Sequence, residues 1–229
     1  MLQIFILAGG FGTRLSEIIS DVPKPMALIN GLPFLVHQIN LLNRSLINIH
    51  VNILTFYKSE IIEDYFDKYD DVTIIRESEP LGTGGAIKNA IKVLKLHKDD
   101  NILVLNGDSY IDVNYSNFIN NSMNDINILC TRQSDCERSS TLEISDGIIR
   151  KFNKQGVNKN NSLISTGCYY FKNTSIIQDN VSDKFMIEEL FEKFCEKIDI
   201  NTYIYNGAFI DIGTPKDYFN FCEYIKNEN

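Results

Sequence analysis

The chain has 229 residues, 44% of them hydrophobic, which is enough to bury a substantial core in one domain without help from disulfides. Its formal net charge of -8 argues against nucleic acid and against an anionic membrane surface as partners, since both would repel it. Any affinity for phosphate must therefore come from a few local cations.

In chain order, residues 3–7 are a short apolar run, β-branched at its centre, which predicts a buried strand. It opens through Leu7 and Ala8 directly into Gly9, Gly10 and Gly12. No cationic segment precedes this run and it ends within a few residues, so neither a secretory signal nor a membrane span is expected, and a cytoplasmic location is. Without Cβ atoms, main-chain amides in such a loop can turn inward as a concave nest of N–H donors, which suits a triphosphate. Thr13 and Arg14 follow the glycines, and Lys24 stands between Pro23 and Pro25, so two side-chain cations join the nest. Two other glycine-loop chemistries fail. Leu15 occupies the last glycine position of a dinucleotide fingerprint, and no Gly-Lys-Ser/Thr follows to make a P-loop.

The first half then alternates: a helix near 33–43, strand 49–54, helix 58–68, strand 72–76, helix 84–94 and strand 101–105. Ala86, Ile87, Ala90, Ile91 and Leu94 recur at helical spacing and give one apolar stripe. Such βα alternation predicts an α/β fold, a mostly parallel sheet with helices on both faces. The glycine loop, the 77–85 segment and Asn106-Gly107-Asp108 each follow a predicted strand, so all three should meet in the crevice beyond the strands' carboxyl ends.

The second half is richer in strand candidates, at 126–132, 141–144, 148–152, 163–171 and 201–205, with helices near 184–196 and 215–225. Asp146-Gly147 reads as a hairpin tip. The pattern Tyr218, Phe219, Cys222, Ile225 buries one helix face, against its own sheet or against another subunit, which leaves a homodimer open. Five cysteines without C-x-x-C spacing indicate neither a disulfide framework nor a zinc site, and His37, His50 and His97 are scattered without metal-ligand spacing.

The pattern Gly-Gly-Phe-Gly-Thr-Arg-Leu (9–15) with Pro-Lys-Pro-Met (23–26) resembles the sugar-1-phosphate nucleotidyltransferases, also called NDP-sugar pyrophosphorylases. The resemblance continues through Glu79-Pro80-Leu81-Gly82-Thr83-Gly84-Gly85-Ala86, Asn106-Gly107-Asp108 and Phe209-Ile210-Asp211-Ile212-Gly213-Thr214-Pro215, blocks that span nearly the whole chain. Within that family, the short length and the Glu-Pro-Leu-Gly-Thr-Gly-Gly block look most like the D-glycero-D-manno-heptose 1-phosphate guanylyltransferases. The resemblance implies a Rossmann-like, glycosyltransferase-A-like fold in a single domain over 1–229. Residues 1–112 would form its nucleotide-binding half, and 113–229 a smaller β-rich sugar-binding half.

The implied reaction is attack by a sugar 1-phosphate oxygen on the α-phosphate of a nucleoside triphosphate, yielding an NDP-sugar and pyrophosphate for capsule, lipopolysaccharide or glycoprotein assembly. Both reactants are anions, so catalysis requires positioning and charge neutralisation rather than a covalent nucleophile. The resemblance carries Arg14 to the β- and γ-phosphates, Lys24 to the α-phosphate and sugar phosphate, and Asp108 and Asp211 to Mg²⁺, an ion that takes carboxylates together with substrate phosphates. Nucleotide contacts fall on Leu7, Ala8, Gly9, Gly10, Gly12, Thr13, Glu77, Gly82, Thr83, Asn106 and Asp108. A carboxylate at 77, where relatives place a base-reading side chain, can accept from both N1–H and N2–H₂ of guanine, which favours GTP. Sugar contacts fall on Gly107, Lys154, Thr166, Gly167 and Glu188. The chain departs from the family pattern there, with Asn153 for the usual Glu and Met186 for the usual Ser, which leaves the sugar open. A cytidylyl- or uridylyltransferase and a non-catalytic nucleotide-sugar sensor stay open beside the guanylyltransferase.

Overall fold

The computed structural model describes residues 2–133, 140–153 and 162–228; Lys154 and Cys136 lie outside the described residues. Strand β1 (Gln3–Leu7) is followed by a 3-10 turn at Lys24–Met26 and a hairpin of two-residue strands, β2 (Leu28–Ile29) and β3 (Leu32–Pro33). Helix α1 (Phe34–Ser45), β4 (Val51–Thr55), α2 (Ser59–Phe66), β5 (Val72–Arg76), α3 (Gly82–Val93) and β6 (Ile102–Asn106) complete the expected alternation. Next come β7 (Ser109–Ile111), α4 (Tyr115–Asn120), β8 (Ile126–Gln133), β9 (Thr141–Ser145), β10 (Ile148–Asn153) and β11 (Ser162–Phe171). The chain closes with α5 (Ser175–Gln178), α6 (Ile187–Phe194), β12 (Ile200–Ile204), β13 (Phe209–Asp211) and α7 (Pro215–Glu228).

Among the described residues, nine strands form one sheet in the order β5-β4-β1-β6-β11-β8-β12-β10-β9. The β5-β4-β1-β6 block is parallel throughout, as the βα alternation requires. Beyond it β11 runs antiparallel to both β6 and β8, and β12 lies parallel to β8, so the β-rich half continues the same sheet instead of forming one of its own. Asp146 and Gly147 adopt φ of 54° and 76°, the primed-turn signature of a two-residue hairpin, between β9 and β10.

The sheet is buried on both faces because its strands alternate between two cores. Ile4 and Ile6 of β1 join Phe34, Leu35 and Leu42 of α1, Ile62 of α2, Phe118 of α4 and Phe221 of α7. Phe5 points the other way, to Ala86, Ile87 and Ile91 of α3, Ile177 of α5 and Phe191 of α6. In α7 the buried face corrects the sequence reading: Phe221 and Ile225 are buried and Phe219 is 57% exposed. The Phe221 ring sits 5.2 Å from that of Phe34 and 4.8 Å from that of Tyr110, so the helix packs on its own domain's core. No helix among the described residues is long and apolar enough to cross a membrane.

Candidate active site

The carboxyl ends of β1, β4, β5 and β6 share one edge of the sheet, and β1 lies between β4 and β6, where the strand order reverses. The glycine loop leaves β1 at this point. Among the described residues, none of the backbone N–H groups of residues 9–14 has a hydrogen-bond acceptor, so this run of donors is free for an anion. Gly12 has φ +61°, and a Cβ there would come 3.0 Å from the Cβ of Lys24. Glycine thus lets the loop lie against the lysine. A cavity of about 170 Å³ opens between Leu7, Ala8, Gly10, Gly12, Thr13, Arg14, Lys24 and Asp108. Arg14 is exposed at its rim and makes no ion pair among the described residues, a cation available to solvent-borne phosphate.

Lys24 is 8% exposed, and its ammonium Nζ donates to Asp108 Oδ2 at 2.7 Å and to Asp211 Oδ1 at 3.3 Å. Two aspartates far apart in sequence therefore meet at one lysine beside the glycine loop. Short local pairings bring them there. The Gly107 N–H donates to Leu7 O at 2.9 Å, and a Cβ on Gly107 would come within 2.6 Å of that oxygen, so only glycine permits the turn to close on β1. On the other side β13 pairs with β7, Asp211 opposite Ser109, and Ile212 N–H donates to Asp108 O at 3.0 Å.

One lysine between two carboxylates leaves a net negative cluster, which by itself opposes a triphosphate. Oxygen donors at about one-third exposure, with Asp108 lining the glycine-loop cavity and Asp211 reaching the same lysine, fit a hard divalent cation that completes its shell with phosphate oxygens. No cluster of three or more His, Cys, Asp or Glu suited to a metal occurs among the described residues.

A second cavity, of about 410 Å³, adjoins the first through Leu7, Gly10 and Asp108 and extends over Gly9, Glu77, Gly82, Thr83, Asn106 and Met186. Glu77 is 7% exposed. Its Oε2 accepts from Leu81 N–H at 3.0 Å, which aims the carboxylate and leaves Oε1 near Gly9. Burial pushes the Glu77 carboxyl up from its ordinary value, and the Leu81 hydrogen bond offsets part of that rise. Two aromatic rings of this cavity went unread in the sequence. Phe11 is 54% exposed and sits 5.9 Å edge-on to Phe56, giving an apolar wall for a nucleobase. The available signal was an aromatic residue inside a glycine loop, with no apolar period to give it a core role.

The residues assigned to the sugar are more dispersed. The Glu188 carboxylate accepts from Tyr169 Oη at 3.1 Å and from Thr83 Oγ1 at 3.4 Å, and Thr83 Oγ1 accepts from Ile187 N–H at 2.9 Å. Glu188 and Thr83 thus fasten the start of α6 to the start of α3. Thr166 is 2% exposed and donates its hydroxyl to Leu129 O at 2.8 Å, so its side chain serves the sheet. Gly167 lies at the register break of β11, against the Asn106 side chain. Asn153 donates to Glu143 Oε1 at 2.9 Å on the β9–β10 ribbon. Burial drives the thiols of Cys130 and Cys168 far up, so neither supplies a thiolate nucleophile.

Known proteins resemble this chain over nearly its whole length. A D-glycero-alpha-D-manno-heptose 1-phosphate guanylyltransferase of Campylobacter jejuni is 35% identical over 223 residues, covering 96% of this chain and 98% of that protein. An enzyme of the same name from Aneurinibacillus thermoaerophilus is 33% identical, with 95% of each chain covered. The crystal structure of HddC from Yersinia pseudotuberculosis complexed with GMP-PN superposes with a TM-score of 0.82 at 35% identity, over 98% of this chain and 100% of that one. The family model for nucleotidyl transferases matches residues 4–228, and the chain belongs to that nucleotidyl transferase family.

Proposed function

We propose that this protein is a guanylyltransferase that joins GMP from GTP to D-glycero-D-manno-heptose 1-phosphate, releasing pyrophosphate. The observation that carries the reading is the Lys24 ammonium held by both Asp108 and Asp211, at the floor of the glycine-loop cavity and next to the Glu77 pocket. The two heptose 1-phosphate guanylyltransferases and the GMP-PN complex of HddC support the substrate pair.

In this reading the free amides of residues 9–14 and the Arg14 guanidinium hold the β- and γ-phosphates, and Lys24 turns from the carboxylates toward the α-phosphate as the sugar phosphate attacks. Mg²⁺ held by Asp108 and Asp211 would supply charge neutralisation on the phosphates. The nucleobase enters between Phe11, Phe56 and Glu77, while Gly107, Lys154, Thr166, Gly167 and Glu188 belong to the sugar side. The reading includes one domain over 1–229 and a cytoplasmic enzyme of activated-sugar supply for capsule or lipopolysaccharide. A homodimer is checked by sedimentation. Pyrophosphate release across GTP, CTP, UTP and dTTP, crossed with mannose, glucose, glucosamine and heptose 1-phosphates, tests it. GTP with the heptose should dominate, and a pyrimidine preference or binding without release overturns it.

Two results should follow from Glu77. Glu77→Gln replaces an acceptor pair by one acceptor and one donor, so kcat/KM for GTP should fall by about 1–3 kcal/mol, roughly 5- to 150-fold, with the ratio of UTP to GTP rising. The ionised carboxylate is the form that accepts from guanine, and burial raises its pKa, so protonation begins at a higher pH than for an ordinary glutamate. KM for GTP should therefore climb as pH falls, beginning above the range in which an ordinary glutamate titrates, and this climb should be absent in Glu77→Gln. A KM profile identical in the two proteins removes Glu77 from base recognition.

A further inference from the structure

Helix α1 buries Phe34, Leu35, Gln38, Ile39, Leu41 and Leu42, so a glutamine stands in an otherwise apolar face. Gln38 is 2% exposed, and its Nε2 donates to Asn106 O at 2.9 Å and to Ser109 O at 2.7 Å. One NH₂ group has two hydrogens, one for each carbonyl. These carbonyls flank Gly107-Asp108, the turn that presents Asp108 to Lys24.

The sheet cannot do this job in place of Gln38. Asp211 and Ser109 face each other, and the bond next to them runs from Ile212 N–H to Asp108 O. That makes 109 and 211 a non-hydrogen-bonded pair, so the Ser109 carbonyl points away from β13 and must find an acceptor's partner elsewhere. Gln38 Oε1, meanwhile, has no partner among the described residues, which is a cost of burial. A methionine would fill the same space without that cost. What the amide adds is the donor pair beneath the turn.

We propose that Gln38 is a positioning residue for nucleotidyl transfer: by tying the carbonyls of Asn106 and Ser109 from below, it fixes the Asp108 carboxylate in place against Lys24 and the incoming phosphates. The proposal rests on the role given to Asp108 above. Gln38 touches no substrate and acts only through the turn.

The test uses Gln38→Met and Gln38→Glu, both close in size and both lacking the NH₂ donors. By analogy with partners that orient metal-ligating groups, kcat should fall about 10- to 100-fold and the Mg²⁺ concentration for half-maximal rate should rise comparably. KM for GTP should stay within about threefold, because Glu77, Phe11 and Phe56 of the base pocket lie on other segments of the chain. In the metal-free proteins, amide hydrogen exchange across residues 106–111 should speed up by about tenfold, independent of any activity. Folded variants with wild-type kcat, or with only KM altered, or with unchanged exchange, overturn the proposal. Loss of fold in both variants assigns Gln38 to the core alone and overturns it as well. Asp108→Asn is measured in parallel. Near-normal turnover there overturns the role of Asp108 itself, whereas an inactive Asp108→Asn beside fully active Gln38 variants overturns only the positioning.

Discussion

Lys24→Ala should lower kcat by about 10²-fold or more while leaving KM for GTP within a few-fold. The asymmetry follows from where the ammonium sits. Lys24 is buried behind the glycine loop and enters the 3-10 turn between two prolines, so its backbone is stiff and its charge is held at one place. In the proposed reading, ground-state binding of the nucleotide draws instead on the loop amides, on Arg14 and on the Glu77 pocket, side chains and amides other than the one replaced. In the proposed reading Lys24 faces the charge that develops at the α-phosphate during transfer, and removing such a donor is felt in the transition state. Lys24→Arg should not rescue, because a planar fork is a poor substitute for a compact ammonium between two carboxylates. Pyrophosphate release by a folded mutant decides the matter, and near-normal turnover removes Lys24 from the chemistry.

The second large effect is expected at the aspartate pair. Asp211→Asn preserves shape and removes one negative charge from the cleft, which leaves a single carboxylate for a divalent cation that normally uses one or two. The loss should be several kcal/mol in turnover, on the order of 10²-fold or more, with the rate's dependence on Mg²⁺ moved to higher concentration. Asp179→Asn is the matching control. Asp179 pairs with Lys98 at 2.6 Å on an exposed surface, so its loss should change neither turnover nor metal dependence. Equal Mg²⁺ curves for wild type and Asp211→Asn would show that Asp211 serves only as the counter-ion of Lys24.

The elements that could be read from the chain share one property: each has enough residues to express a period. Strands β1, β4, β5 and β6 are five-residue segments with three or four apolar residues each, and α1 and α3 carry stripes over twelve residues. The 3-10 turn, the β2–β3 hairpin, β7 and α5 are two to four residues long, too short for any pattern to repeat. Helix α6 is shorter than 184–196 for a different reason. Met186 is extended, and the carbonyl of Phe185 before it accepts from Gly84 and Gly85 N–H, closing the start of α3, so the helix begins only at Ile187.

Among the site residues, the glycine loop, Lys24, Glu77 and Asp108 were legible because backbone permissiveness, charge and strand ends are written locally. Local chemistry also settled the absence of a general positive field, and hence the need for a small cationic site. What the chain order could not express is which distant segments pair. The three-residue match of β13 to β7 brings Asp211 within 3.3 Å of Lys24, and the Glu188–Thr83 contact joins α6 to α3 across 105 positions. Register between short strands depends on the whole sheet and on what its two cores can bury, so these approaches, and the buried amide of Gln38 under the Asp108 turn, exist only in the folded molecule.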